Sequence, residues 1–85
     1  MTDQESLRKK SLKVVVTFET NSDAMAMEGK AKEVGCPGRI IPLPSDIAAG
    51  CGLAWCADDN QRQAVLNALE VFSLAHEGVF EVELY

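Results

Sequence analysis

The stretch RIIPLPSDIAAGCGLAWCA, running from Arg39 to Ala57, decides the fold. It opens on Arg39-Ile40-Ile41-Pro42-Leu43-Pro44, which reads as a strand. Two prolines remove ladder donors from that strand and assign it to the edge of a sheet. It closes on Gly52-Leu53-Ala54-Trp55-Cys56-Ala57, small and apolar throughout, as a central strand buried on both faces is. Between them, Ser45-Asp46-Ile47-Ala48-Ala49-Gly50 has room for a cap and about one helical turn. The middle of the chain is therefore two successive strands with no full helix between them.

Working outward, Lys13-Val14-Val15-Val16-Thr17-Phe18-Glu19 is rich in β-branched residues, with Val14, Val16 and Phe18 on one face, and predicts a strand. Thr20-Asn21-Ser22-Asp23 then starts a helix in the manner of a capping box, and Asp23 adds negative charge to its first turn. Ala24, Met27, Ala31 and Val34 recur at helical spacing, Glu28 and Lys32 form an i,i+4 pair, and Gly35 ends the helix ahead of Cys36-Pro37-Gly38. On the other side, Asp58-Asp59-Asn60 opens a long helix with Val65, Leu69, Phe72 and Ala75 on one face, ended by Gly78. Residues 79–85 alternate once more, Phe80, Val82 and Leu84 facing one way and Glu81, Glu83 and Tyr85 the solvated other.

The order βαββαβ in two halves of roughly 30 residues predicts an α+β, ferredoxin-like sandwich: a four-stranded antiparallel sheet ordered 4-1-3-2 with both helices on one face. Residues 1–11 read as a flexible polar tail whose Arg8-Lys9-Lys10 cluster is solvated, and residues 12–85 as the single domain.

At 85 residues there is one core and no space for a barrel enzyme or a complete dinucleotide-binding fold. Thirteen acidic residues against eight basic ones, a formal charge of −5, disfavour nucleic acid and anionic lipid as partners. No apolar run approaches the roughly 20 residues of a membrane span, and no apolar stretch follows the N-terminal charges as in a secretory signal. Three cysteines, an odd number, point to a reducing, cytoplasmic setting rather than a disulfide framework.

The expected topology separates those thiols. The loop joining the second and third strands lies at the rim where the first helix starts and the second ends. Cys51 and His76 therefore share one rim, and Cys36 occupies the other. Rims lie on the order of 15–20 Å apart, beyond the α-carbon reach of about 7 Å that a disulfide allows. With no Cys-x-x-Cys pair and a single histidine, the residues predict no structural zinc site and no cofactor. Cys56, beside Trp55, reads as a small core filler, and Cys36 as an incidental turn thiol. Trp55, Met25 and Met27 read as packing. Cys51 lies between Gly50 and Gly52, which strip away steric cover and admit another molecule's backbone. On the residues alone it is either a turn cysteine or a working thiol. His76 reads as a solvated residue stabilising a helix C-terminus, with a base directed at Cys51 as the alternative.

The segment from Ile41 to Ala54 resembles the signature of a small selenium/sulfur carrier-like family, a Pro-x-Pro pair (Pro42 and Pro44) followed after a short spacer by Cys51-Gly52. The upstream strand ending at Phe18, the Asp23-Ala24 helix start and Glu28 fit as well, so the resemblance spans roughly residues 13–84. It implies that Cys51 holds a terminal sulfur or selenium atom as a persulfide or selenopersulfide. Pro42, Pro44, Gly50 and Gly52 support that motif. The partners it implies are donor and acceptor proteins. One departure is Ser45, where a basic residue often follows the second proline. No family role falls on Cys36 or Cys56.

A second class of reading is a non-catalytic interaction or regulatory module, a homodimer through the fourth strand as the proline-free edge. A metal chaperone of the same architecture fits poorly, because Thr20-Asn21-Ser22-Asp23 lacks a thiol. An acylphosphatase fits poorly because that loop lacks an arginine to hold phosphate.

Overall fold

The computed structural model of the chain describes residues 11–45, 47 and 50–84. They form β1 (Ser11–Thr17), α1 (Asn21–Val34), β2 (Arg39–Pro42), β3 (Leu53–Asp58), a 3-10 turn (Asp59–Gln61), α2 (Arg62–Val71) and β4 (Gly78–Leu84). The sheet runs β2-β3-β1-β4 with every neighbouring pair antiparallel, the order expected from the sequence. The tail expected over residues 1–11 lies, apart from Ser11, outside the described residues, as does Tyr85.

Side-chain alternation builds two apolar layers. Val14, Val16, Trp55 and Ala57 share one face and pack against Ala24, Met27 and Ala31 of α1 and Val65 and Leu69 of α2, so both helices cover the same side. On the opposite face Val15 and Ala54 are fully buried as well, in keeping with the apolar, central reading of β3. The reason lies in the segment between β2 and β3: Ile47 folds back over that face and joins Val15 and Ala54, flanked by Ile41, Leu43, Val82 and Leu84. Half of the residues of the helical turn expected over residues 45–50 lie outside those described. Within it, the Ile47 N–H donates to the Pro44 carbonyl at 3.0 Å.

The helix ends obey local chemistry. Thr20 caps α1 through its hydroxyl, which accepts the Asp23 N–H at 3.1 Å, and Gly35 turns left-handed at φ 72° to end it. The ion pair seen on α1 is Lys30–Glu33, not the expected Glu28–Lys32, and Val34 is exposed rather than buried. Helix α2 is shorter than its sequence pattern suggests. Ser73, at φ 51°, takes the left-handed position usually given to glycine. The Leu74 N–H then reaches the Leu69 carbonyl and the Ser73 N–H the Glu70 carbonyl, the two bonds of a Schellman ending. Phe72 and Ala75 consequently fall beyond the helix and are exposed.

Strand β4 is also inverted relative to expectation. Pairing Val15 with Phe80 and Lys13 with Val82 puts Phe80, Val82 and Leu84 on the helix-free face. Glu81 and Glu83 face the helix side instead, and Glu81 is paired with Arg62 at the start of α2.

Candidate functional site

The strand order places the β2–β3 connection at the rim where β1 ends, α1 begins and β4 starts. Pro42 pairs with Leu53 as the last residue of β2, and the Leu43 N–H donates to the Gly52 carbonyl at 2.9 Å. Donors alternate along a strand. With Leu43 directing its N–H inward, the nitrogen of Pro42 faces the open edge, where no donor is needed. The loop therefore leaves the ladder at Pro44 and re-enters it at Gly52, with Cys51 as its last residue. Gly52 takes φ 78°, a left-handed conformation, and a Cβ there would meet nothing within 4 Å. The flank of Cys51 is thus open to solvent.

Cys51 is half-buried. It packs against the helix-side core, and its thiol donates to the Leu53 carbonyl at 3.6 Å. On its other side Gly50 is held tightly. A Cβ on Gly50 would lie 2.7 Å from the Glu19 carbonyl oxygen. The Gly50 N–H donates to Glu77 Oε1 at 3.3 Å, while the Glu77 N–H donates to the Thr17 carbonyl at 2.6 Å. Glu77 carries no motif and stands 27 positions from Gly50, so sequence reading missed it.

His76 lies beside Glu77 on this rim and is exposed, with Nδ1 engaged by the Leu74 carbonyl at 2.9 Å. If that bond fixes the proton on Nδ1, the free nitrogen is Nε2. Among the described residues no hydrogen bond joins His76 to Cys51.

Cys36 sits at the opposite rim, after α1, in a small cavity of about 190 Å³ lined by Glu28, Lys32, Arg39 and Trp55 among others. Burial pushes its thiol up from the ordinary range. Cys56 is buried within β3, opposite Val15 and Arg39. Burial pushes that thiol up as well, with Asp58 adding to the effect and the Arg39 and Lys13 charges opposing it. All three thiols are free. Among the described residues, no group of three His, Cys, Asp or Glu side chains could hold a metal ion.

Charge is distributed unevenly between the rims. Around the Cys51 loop stand Glu19, Asp23 and Glu77. The basic residues described (Lys13, Lys30, Lys32, Arg39 and Arg62) all belong to the Cys36 half, on β1's start, α1's second half, β2's start and α2's start. No helix is long and apolar enough to cross a membrane among the described residues.

Comparison with known families gives a match over residues 13–81 to the family described as "Putative Se/S carrier protein-like". No curated protein and no solved structure matches the chain. The matched span runs from β1 into β4 and includes the Pro42–Pro44 segment and the Cys51 turn. The chain belongs to this Se/S carrier protein-like family.

Proposed function

We propose that the protein carries sulfur or selenium as a persulfide or selenopersulfide on Cys51, between a donor and an acceptor protein in the cytoplasm. The observation that carries this reading is the position of Cys51 within the family-matched segment. It is a thiol at the end of a rim loop, flanked by exposed glycines. Cys36 and Cys56 are weaker candidates because their raised thiols ionise less at neutral pH.

The chemistry is thiol exchange at a terminal sulfur. The Cys51 thiolate attacks the outer sulfur of a donor cysteine persulfide. A new S–S bond forms to Cys51 Sγ as the donor's own S–S bond breaks. The donor cysteine departs as a thiolate with that electron pair, and the transferred sulfur keeps its proton and its oxidation level. An outer selenium moves by the same step. Delivery to the acceptor is the reverse attack. A domain of this size needs no enclosed pocket for such work. It needs an accessible sulfur on a rigid frame and a surface that partners can find. The acidic surroundings of the Cys51 loop suit partners with basic surfaces around their own sulfur sites. His76, on the same rim, presents Nε2 as a candidate acceptor for the thiol proton.

The test is alkylation by iodoacetamide, followed cysteine by cysteine through peptide mapping. Cys51 should react fastest at neutral pH. A Cys51 no faster than Cys36 or Cys56 defeats the assignment.

A second reading, self-association, has one observation in its favour: β4 is a seven-residue edge without proline, whereas the β2 edge is four residues long and ends on Pro42.

A further inference from the structure

The contacts of the turn before Cys51 go beyond its assignment as carrier thiol. Gly50 is gripped on two sides by elements remote in sequence. The Glu19 backbone approaches so closely that a Cβ would sit 2.7 Å from its carbonyl oxygen, and Glu77 Oε1 accepts the Gly50 N–H at 3.3 Å. Glu77 is itself fixed, because its N–H donates to the Thr17 carbonyl at 2.6 Å, at the point where β1 and β4 come together. A backbone donor beside the reactive residue is thus tied, through the residue that carries one carboxylate, to β1, one of the two central strands of the sheet. On the other side of Cys51 the turn is open at Gly52, where nothing lies within 4 Å of an added Cβ.

We propose that Glu77 is the positioning residue of the Cys51 turn: by accepting the Gly50 N–H, its carboxylate fixes where Cys51 stands on the rim and how a partner's sulfur reaches it. The proposal rests on the carrier reading for its partner, but not for its geometry. Glu77 takes no part in the bond changes. It acts through Gly50 on the direction from which Cys51 Sγ meets the donor's outer sulfur. A tethered turn presents the thiol in one place, which a large partner needs. An untethered turn samples many positions, which favours a small reagent and penalises a docked protein.

These opposite signs give the test. Glu77→Ala removes the acceptor, whereas Glu77→Gln keeps an amide oxygen at the same reach. Each variant is alkylated with iodoacetamide, with rates read separately at Cys51, Cys36 and Cys56. Each is also loaded by a cysteine desulfurase with its substrate. In Glu77→Ala, Cys51 alkylation should rise about three- to tenfold, the factor one lost hydrogen bond supports. Cys36 and Cys56 should be unchanged, and desulfurase loading should fall by a similar factor. Glu77→Gln should restore both rates.

Equal acceleration at all three cysteines would mean general unfolding and would overturn the proposal. So would an unchanged Cys51 rate in Glu77→Ala, an unchanged loading rate beside a raised alkylation rate, or a Glu77→Gln protein that behaves like Glu77→Ala. Wild-type protein that takes up no sulfur from the desulfurase defeats the carrier reading instead, and the alkylation rates still decide whether Glu77 holds the turn.

Discussion

The Trp55 indole N–H donates to the Pro37 carbonyl at 3.0 Å, and Gly38 lies directly against the ring. Trp55 is almost fully buried on the helix side of β3, so its one polar atom needs that partner. The turn between α1 and β2 provides it, and thereby sets β2 beside β3. Gly38 takes φ 118°, and a Cβ there would stand 2.4 Å from the indole nitrogen and 2.7 Å from the Cys56 carbonyl oxygen. Gly38→Ala should therefore destabilise the fold by about 2–4 kcal/mol, combining left-handed strain with an overpacked contact. Thermal denaturation checks this, and an unchanged midpoint would refute it.

The other constrained glycine gives a local effect. Gly50→Ala should push the turn away from Glu19 and stretch the Gly50–Glu77 hydrogen bond. The loop is at the surface, so the stability cost should be about 1–2 kcal/mol, below that of Gly38→Ala. Cys51 alkylation should change several-fold while the Cys36 rate stays constant. Peptide-mapped alkylation beside a melting curve separates the two effects.

The buried thiols predict a pH dependence. Cys36 and Cys56 are held above the ordinary thiol range of about 8.5 by burial. Above that pH the unfolded chain releases protons that the folded chain keeps, so stability falls as pH rises toward the raised folded values. Alkylation at both sites should keep accelerating above pH about 8.5. Chemical denaturation across this range, repeated with Cys56→Ala, checks the sign. A stability that rises with alkaline pH would contradict it.

The uneven charge of the two rims predicts how a donor finds Cys51. Loading by a partner with a basic surface should slow as salt is raised. Glu19→Lys should slow it further at low salt, by about three- to tenfold, whereas Lys32→Glu in the opposite half should leave it nearly unchanged. Initial loading rates at several ionic strengths test this. Equal effects from the two substitutions would remove the argument for docking at the acidic rim.

Much of the architecture was legible because local signals agreed with one another. Thr20 and Gly35 marked both ends of α1, and the prolines after Ile41 marked an edge. The strand order then followed, and with it the separation of Cys51 from Cys36. What escaped sequence reading depended on contacts distant along the chain. Val15 lies on the face away from Val14 and Val16, and nothing in the strand's own pattern showed that Ile47 returns from the β2–β3 connection to cover it. Helix α2 stopped early because Ser73 adopts a conformation for which Gly78 was the visible candidate. Glu81 is exposed as its alternation suggested, but its ion pair with Arg62 at the start of α2 was not visible in the sequence. In the candidate site, Cys51 and its glycines could be read from the motif, whereas Glu77 could be found only once β1 and β4 were paired.

The central claim is that Cys51 accepts the sulfur or selenium atom. Intact mass measurement after incubation with a cysteine or selenocysteine desulfurase and its substrate tests it most directly. The wild-type chain should gain one sulfur or selenium atom, reductant should remove it, and Cys51→Ala should gain none. A gain that persists in Cys51→Ala, or no gain in the wild-type chain, would contradict the account.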